Sequence, residues 1–170
     1  MFKKLAIILI SMLMTLSFIP MNVSAAGSDT FDITVTGEFL WIDITNLTWA
    51  IGTVAMSSVT YTNETGITFL ADISNSSVNT DLKLAITGDG ATWSSAAAAA
   101  GIGADTYLLN ASTDTWVDND TQVVATSATT ISSGVTAGQD EYFDLMFSAP
   151  SSTTVGDAQS ITVTASVVKA

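Results

Sequence analysis

The sequence predicts an all-β domain, two sheets packed as a sandwich with one short helix, preceded by a signal peptide. Three observations carry that reading. Apolar residues recur at every second position in run after run, and many are β-branched. Gly, Asn, Asp and Ser interrupt the runs, and beyond the leader proline occurs only at Pro150. A single stretch, "SSAAAAAGIG" (residues 94–103), has helix-forming composition.

The leader comes first. Lys3 and Lys4 precede an apolar run from Leu5 to Ile19, Pro20 ends it, and Val23-Ser24-Ala25 supplies small residues at a cleavage site. That layout is a secretory signal peptide over residues 1–25, leaving residues 26–170 as the mature domain. A membrane anchor needs ~20 apolar residues, more than this run supplies. A pilin-type leader would carry a small residue directly before the run and an early glutamate, and neither is present. The mature chain is thus expected to be exported, extracellular or on a cell surface, with no stable membrane insertion after cleavage.

The strands follow in order. "FDITVT" alternates Phe31, Ile33 and Val35 with Asp32, Thr34 and Thr36. "FLWIDIT" places Leu40, Ile42 and Ile44 on one face and Trp41 on the other. "SVTYT" is a weaker candidate, and "ITFLADIS" alternates Ile67, Phe69, Ala71 and Ile73. "DLKLAIT" alternates Leu82, Leu84 and Ile86, with Lys83 facing outward beside Asp81 in a weak exposed ion pair. "TGDGATW" around Asp89 reads as a hairpin turn. In residues 94–103 a serine caps, five alanines propagate and Gly101 ends a helix of one to two turns. "TYLLNA" and "TQVVATS" are weaker strands. "YFDLMF" alternates Phe143, Leu145 and Phe147, and "SITVTASVV" alternates Ile161, Val163, Ala165 and Val167. About eight or nine strands, each with one wet face, favour two sheets covering each other.

Charge and missing residue types narrow the chemistry. After cleavage, two lysines (Lys83 and Lys169) oppose sixteen carboxylates, a formal charge of −14. Most carboxylates therefore lack a cationic partner and are expected to stay in water. Nucleic acid and anionic lipid need basic patches, so neither is an expected partner. The chain has no cysteine, histidine or arginine. That removes thiol nucleophiles, imidazole bases and ligands, and guanidinium clamps together. Glu38, Glu64 and Glu141 are the only glutamates, and no pair of carboxylates stands out as a glycosidase pair. No catalytic residue and no organic cofactor is expected, and the reading is of a non-enzyme.

Two stretches resemble a known type of module. "LTWAIGTVAMSS" (47–58) is similar to the W-x-F-G-T-V opening of secreted Ig-like modules, with Ile51 in the place of the usual aromatic. "ISNSSVNTDLKLAIT" (73–87) fits their turn and following strand. The tail from Ala137 to Val167 looks like the last two strands of such domains in exported prokaryotic surface proteins. The resemblance implies an Ig-like or jelly-roll-type sandwich at a cell surface or in an extracellular assembly, and it brings no catalytic residues with it.

The stretch "YLLNASTDTWVDNDTQVV" (107–124) admits three readings. It is first a polar connection, since Asp and Asn bond their own backbone. It is second a glycan acceptor: Asn46, Asn63, Asn75, Asn110 and Asn119 all satisfy N-x-S/T, five of the six mature asparagines. It is third a calcium loop built from Asp114, Asp118 and Asp120, although no glycine or closing glutamate completes an EF-hand spacing. Trp41 and Trp116 are candidates for stacking on carbohydrate in a soluble binding module, while Trp49 and Trp93 read as core. The flexible start and clean alternation of residues 26–39 suit a strand donated to another copy, so self-association or docking on other surface proteins, as a filament or coat subunit, is the leading expectation.

Overall fold

A computed structural model describes residues 32–114, 116 and 122–170. The signal-peptide reading lies outside the described residues, as do Asp118, Asn119 and Asp120. The chain divides into two units, Met1–Thr36 and Gly37–Ala170, and the second is the sandwich.

Its strands are β1 (Asp43–Thr45), β2 (Val59–Tyr61), β3 (Phe69–Asp72), β4 (Thr80–Gly88), β5 (Ser94–Ser95), β6 (Thr106–Ser112), β7 (Gln122–Val123), β8 (Thr129–Val135), β9 (Glu141–Ser148) and β10 (Thr162–Lys169). Seven form the larger sheet. Its path runs β1-β3-β9-β6-β5, with β2 also on β9 and β7 also on β6. One edge of β9 is shared: β3 pairs with its first half (Phe69 opposite Phe143) and β2 with its second (Tyr61 opposite Met146). The smaller sheet is β10-β4-β8. Pairing is antiparallel except for β5 beside β6. The chain crosses between sheets at β3–β4, β4–β5, β7–β8, β8–β9 and β9–β10. The "TGDGATW" segment is therefore a crossover and not a hairpin turn.

Alternation explains the packing. Leu82, Leu84 and Ile86 of β4 meet Phe69 and Ala71 of β3, Phe143, Leu145 and Phe147 of β9, and Tyr107, Leu109 and Ala111 of β6. Phe69 and Phe143 stack at 5.2 Å, as cross-strand aromatic pairs do. Strand β6 is buried on both faces because it is flanked by strands and covered by loops. On one flank β7 and β8 are neighbours, and backbone bonds join the sheets there. The Val124 amide donates to Leu109 of β6 (2.9 Å), and the Ile86 amide of β4 donates to Ala125 (2.8 Å).

Several expectations change. Residues 32–36 form no strand and are exposed: Ile33 is 75% and Val35 84% accessible. The alanine-rich stretch is not a helix of one to two turns. Ser94–Ser95 pair with β6, Ala98 is extended, and a single 3₁₀ turn covers Ala99–Gly101. Alanine propensity is weak over so short a span, and the ladder to Thr106 and Tyr107 outweighs it. Asp81 accepts the Gly134 amide (3.0 Å) in place of pairing with Lys83, whereas Lys169 pairs with Glu38 at 2.5 Å. Asp144 is 3% exposed, against the expectation of a solvated carboxylate. It is accommodated because Thr62 Oγ1 donates to it (3.1 Å) while accepting the Leu145 amide (3.0 Å). Among the described residues no helix is long and apolar enough to cross a membrane.

Candidate functional site: an open apolar cleft between the sheets

The sandwich is fastened on the β7–β8 flank and open on the other. A cleft of about 830 Å³ lies there between the sheets. Ile44 (β1), Phe69 (β3) and Phe143 (β9) line one side, and Leu84 (β4), Val163 and Ala165 (β10) line the other. Two connections form the rims: residues 46–56, carrying Trp49, Ile51 and Val54, and residues 153–161, carrying Val155 and Ile161. These apolar rim residues and Val163, Ala165 and Val167 are only half-buried, unlike Leu82 and Leu84 behind them. A strand whose inward row is half-wet marks a sandwich lacking cover on that side.

The second rim is held by polar side chains. Asp105 sits at φ +54°, a left-handed conformation that Asp tolerates. Its Oδ1 accepts from Thr153 Oγ1 (2.7 Å) and the Thr154 amide (2.9 Å), and its Oδ2 from Thr154 Oγ1 (2.6 Å). These bonds from Thr154 and Thr153 hold its carboxyl below the usual carboxylate range. Trp93 Nε1 donates to Thr153 Oγ1 (3.0 Å). Gln159 Oε1 takes the amides of Thr92 (2.9 Å) and Trp93 (3.3 Å). Gly90 permits this approach, since a Cβ there would lie 2.6 Å from Gln159 Oε1. Below the rim, the Tyr107 hydroxyl donates to Asp89 Oδ1 (2.7 Å), and burial first, then Asp89, pushes that phenol upward. The first rim carries an unmet donor: Trp49 Nε1 is buried without a hydrogen-bond partner.

The free edge of β10 borders the cleft. Among the described residues β10 pairs only with β4, from Thr162 opposite Gly88 to Lys169 opposite Thr80. The chain enters the sandwich beside the end of that strand. Lys169 grips Glu38, while Phe39 and Trp41 bond Ser77 and Ser76 just before β4.

Of the sequence-predicted site residues that are described, Asn46 lies on the first rim of the cleft, and Asn63, Asn75, Asn110 and Asp114 are not among its lining residues. Asp114 Oδ1 accepts the Ser112 hydroxyl and the Trp116 amide (3.2 Å), the arrangement of a polar turn. Asp118 and Asp120 lie outside the described residues. Among the described residues no group of three or more carboxylates is placed to hold a metal ion. Asn46, Asn63 and Asn75 are exposed on connections, and Asn119 lies outside the described residues. Asn110 is 7% exposed within β6, and its Oδ1 is buried without a partner. Trp116 is half-buried, edge-on to Tyr61. Trp41 is 42% exposed and stacks on Phe39, itself 53% exposed.

Sequence reasoning missed the cleft, because its lining combines inward residues of ordinary alternating runs with residues of two connections that carry no pattern. It also missed Asp105, whose rim-holding partners lie 48 and 49 positions away. No family model matches the chain, and no curated protein or solved structure does either.

Proposed function

We propose that this chain is a secreted structural or adhesive cell-surface subunit that associates with copies of itself through β-edges. One observation carries the reading. Residues 32–36 have strand patterning and exposed apolar side chains but are not strand, while among the described residues β10 has a partner on one edge only. An extended apolar segment without a partner and an open edge are the two halves of a strand-addition contact. The absence of histidine, cysteine and arginine fits work done by shape and surface. Negative-stain microscopy of purified residues 26–170 tests this: filaments or sheets are expected, and monodisperse particles across protein and salt concentrations would overturn it.

A second reading, a carbohydrate-binding module, is favoured by the exposed Phe39–Trp41 pair. Two neighbouring rings on a surface suit the apolar face of a sugar ring. Affinity electrophoresis on polysaccharide gels, with Trp41→Ala losing any retardation, tests it.

A further inference from the structure

We infer that residues 32–36 of one copy add as a strand in another copy, along the edge of β10 that has no partner among the described residues, seating Ile33 and Val35 in the cleft. The inference rests on the self-association reading and names the contact it would use.

The dimensions agree. Five extended residues span ~17 Å, within the edge that β10 presents over Thr162–Lys169. The patterning agrees too. A strand beside β10 in register with its pleat would turn one side-chain row toward the cleft, where Val163 and Ala165 already point. Ile33 and Val35 form such a row. The alternate row of Asp32, Thr34 and Thr36 would join the outward row of Thr162 and Thr164, where Thr164 already meets Thr87 at 2.8 Å. The cleft lining is aliphatic and aromatic, as an apolar strand requires. Trp49 Nε1, on the rim, lacks an acceptor, and an incoming backbone supplies carbonyl oxygens. A second copy is the occupant favoured because the matching segment is encoded in this chain and is exposed.

The test exploits the absence of native cysteine. One preparation carries Ile33→Cys and a second, of different tag mass, carries Ala165→Cys, so any mixed bond is between chains. Mixing under oxidation is expected to give a covalent heterodimer, with Val163→Cys and Val167→Cys reporting neighbouring registers. In parallel, a synthetic peptide of residues 27–37 is titrated into a chain lacking residues 26–36. The expected result is a saturable rise in Tm that is lost for the peptide carrying Ile33→Asp, and lost again when Ala165→Trp fills the acceptor. The peptide variant keeps the test decisive if A165W misfolds. No heterodimer and no Tm shift would overturn the inference, as would a concentration-independent bond within single chains of the doubly substituted I33C/A165C protein. If polymers persist after residues 26–36 are deleted, strand donation fails and the assembly reading stands. If the peptide binds but the full chain forms no polymers, the cleft assignment stands and the assembly reading fails.

Discussion

At the scale of single residues, two carboxylates respond to acid in opposite directions. Asp105 has its pKa lowered by hydroxyls and an amide that favour the charged form. Its stabilisation is therefore present above the unfolded value of ~3.9 and is lost as the pH falls below it toward the folded value. Asp105→Asn is expected to lower Tm at pH 7, with the gap from the parent shrinking below pH ~4, as scanning calorimetry would show. Glu141 has its pKa raised by burial, against a smaller lowering by Ser132. Its ionised form is the costly one, so folding is favoured below the folded pKa and that advantage fades as the pH rises through it. Glu141→Gln should raise Tm at pH 7 and change nothing at pH 3. Asp144 is the third informative case. Thr62→Ala removes a buried donor and acceptor together and leaves Asp144 Oδ1 and the Leu145 amide unmet. A loss of ~1–3 kcal/mol in urea unfolding is expected, with the m-value unchanged.

At the scale of elements, β4 is the centre of the small sheet and supplies its inward face. Leu84→Ala lies under the cleft and should cost ~2–5 kcal/mol in the same unfolding assay. The strands with three or four strictly alternating apolar residues, β3, β4, β9 and β10, were legible in the sequence because one buried face imposes a period of two. Strand β8 was not: "TTISSGV" has inward residues only at Ile131 and Val135, four apart, and its β-bulged pairing with β4 accounts for the missing alternate. The short β5 was hidden beneath alanine composition, and its two residues are strand only because β6 lies beside them. Residues 32–36 carry as clear a pattern as β3, yet are not strand. Pattern specifies that a segment can be a strand, and only tertiary partners decide whether it is one. The cleft was illegible for a related reason. It lies where β10 has no second neighbour among the described residues, and a sequence records the strands present and not the gap between them.

At the scale of the whole molecule, charge governs approach between copies. Residues 26–170 carry a formal charge of −14, which makes like molecules repel. Screening shortens that repulsion from a Debye length of ~30 Å at 0.01 M salt to ~8 Å at 0.15 M. Light scattering on residues 26–170 should therefore show association that strengthens as sodium chloride rises between those values. Attachment of sugars also belongs to this scale. Exposed sequons at Asn46, Asn63 and Asn75 leave glycans room on the outside, and intact mass of native-source protein reads their use directly.

The two flanks of the sandwich differ in what holds them. Where Val124 and Ala125 bond to Leu109 and Ile86, backbone hydrogen bonds join the sheets; on the other flank the apolar rim residues Trp49 and Val155 line an open cleft. A clamshell built this way can adjust its gape by pivoting about one margin, accepting a bulkier or slimmer guest without breaking a ladder. Amide exchange should then be slowest at Val124 and Ile86 and fastest along the outer margin of β10.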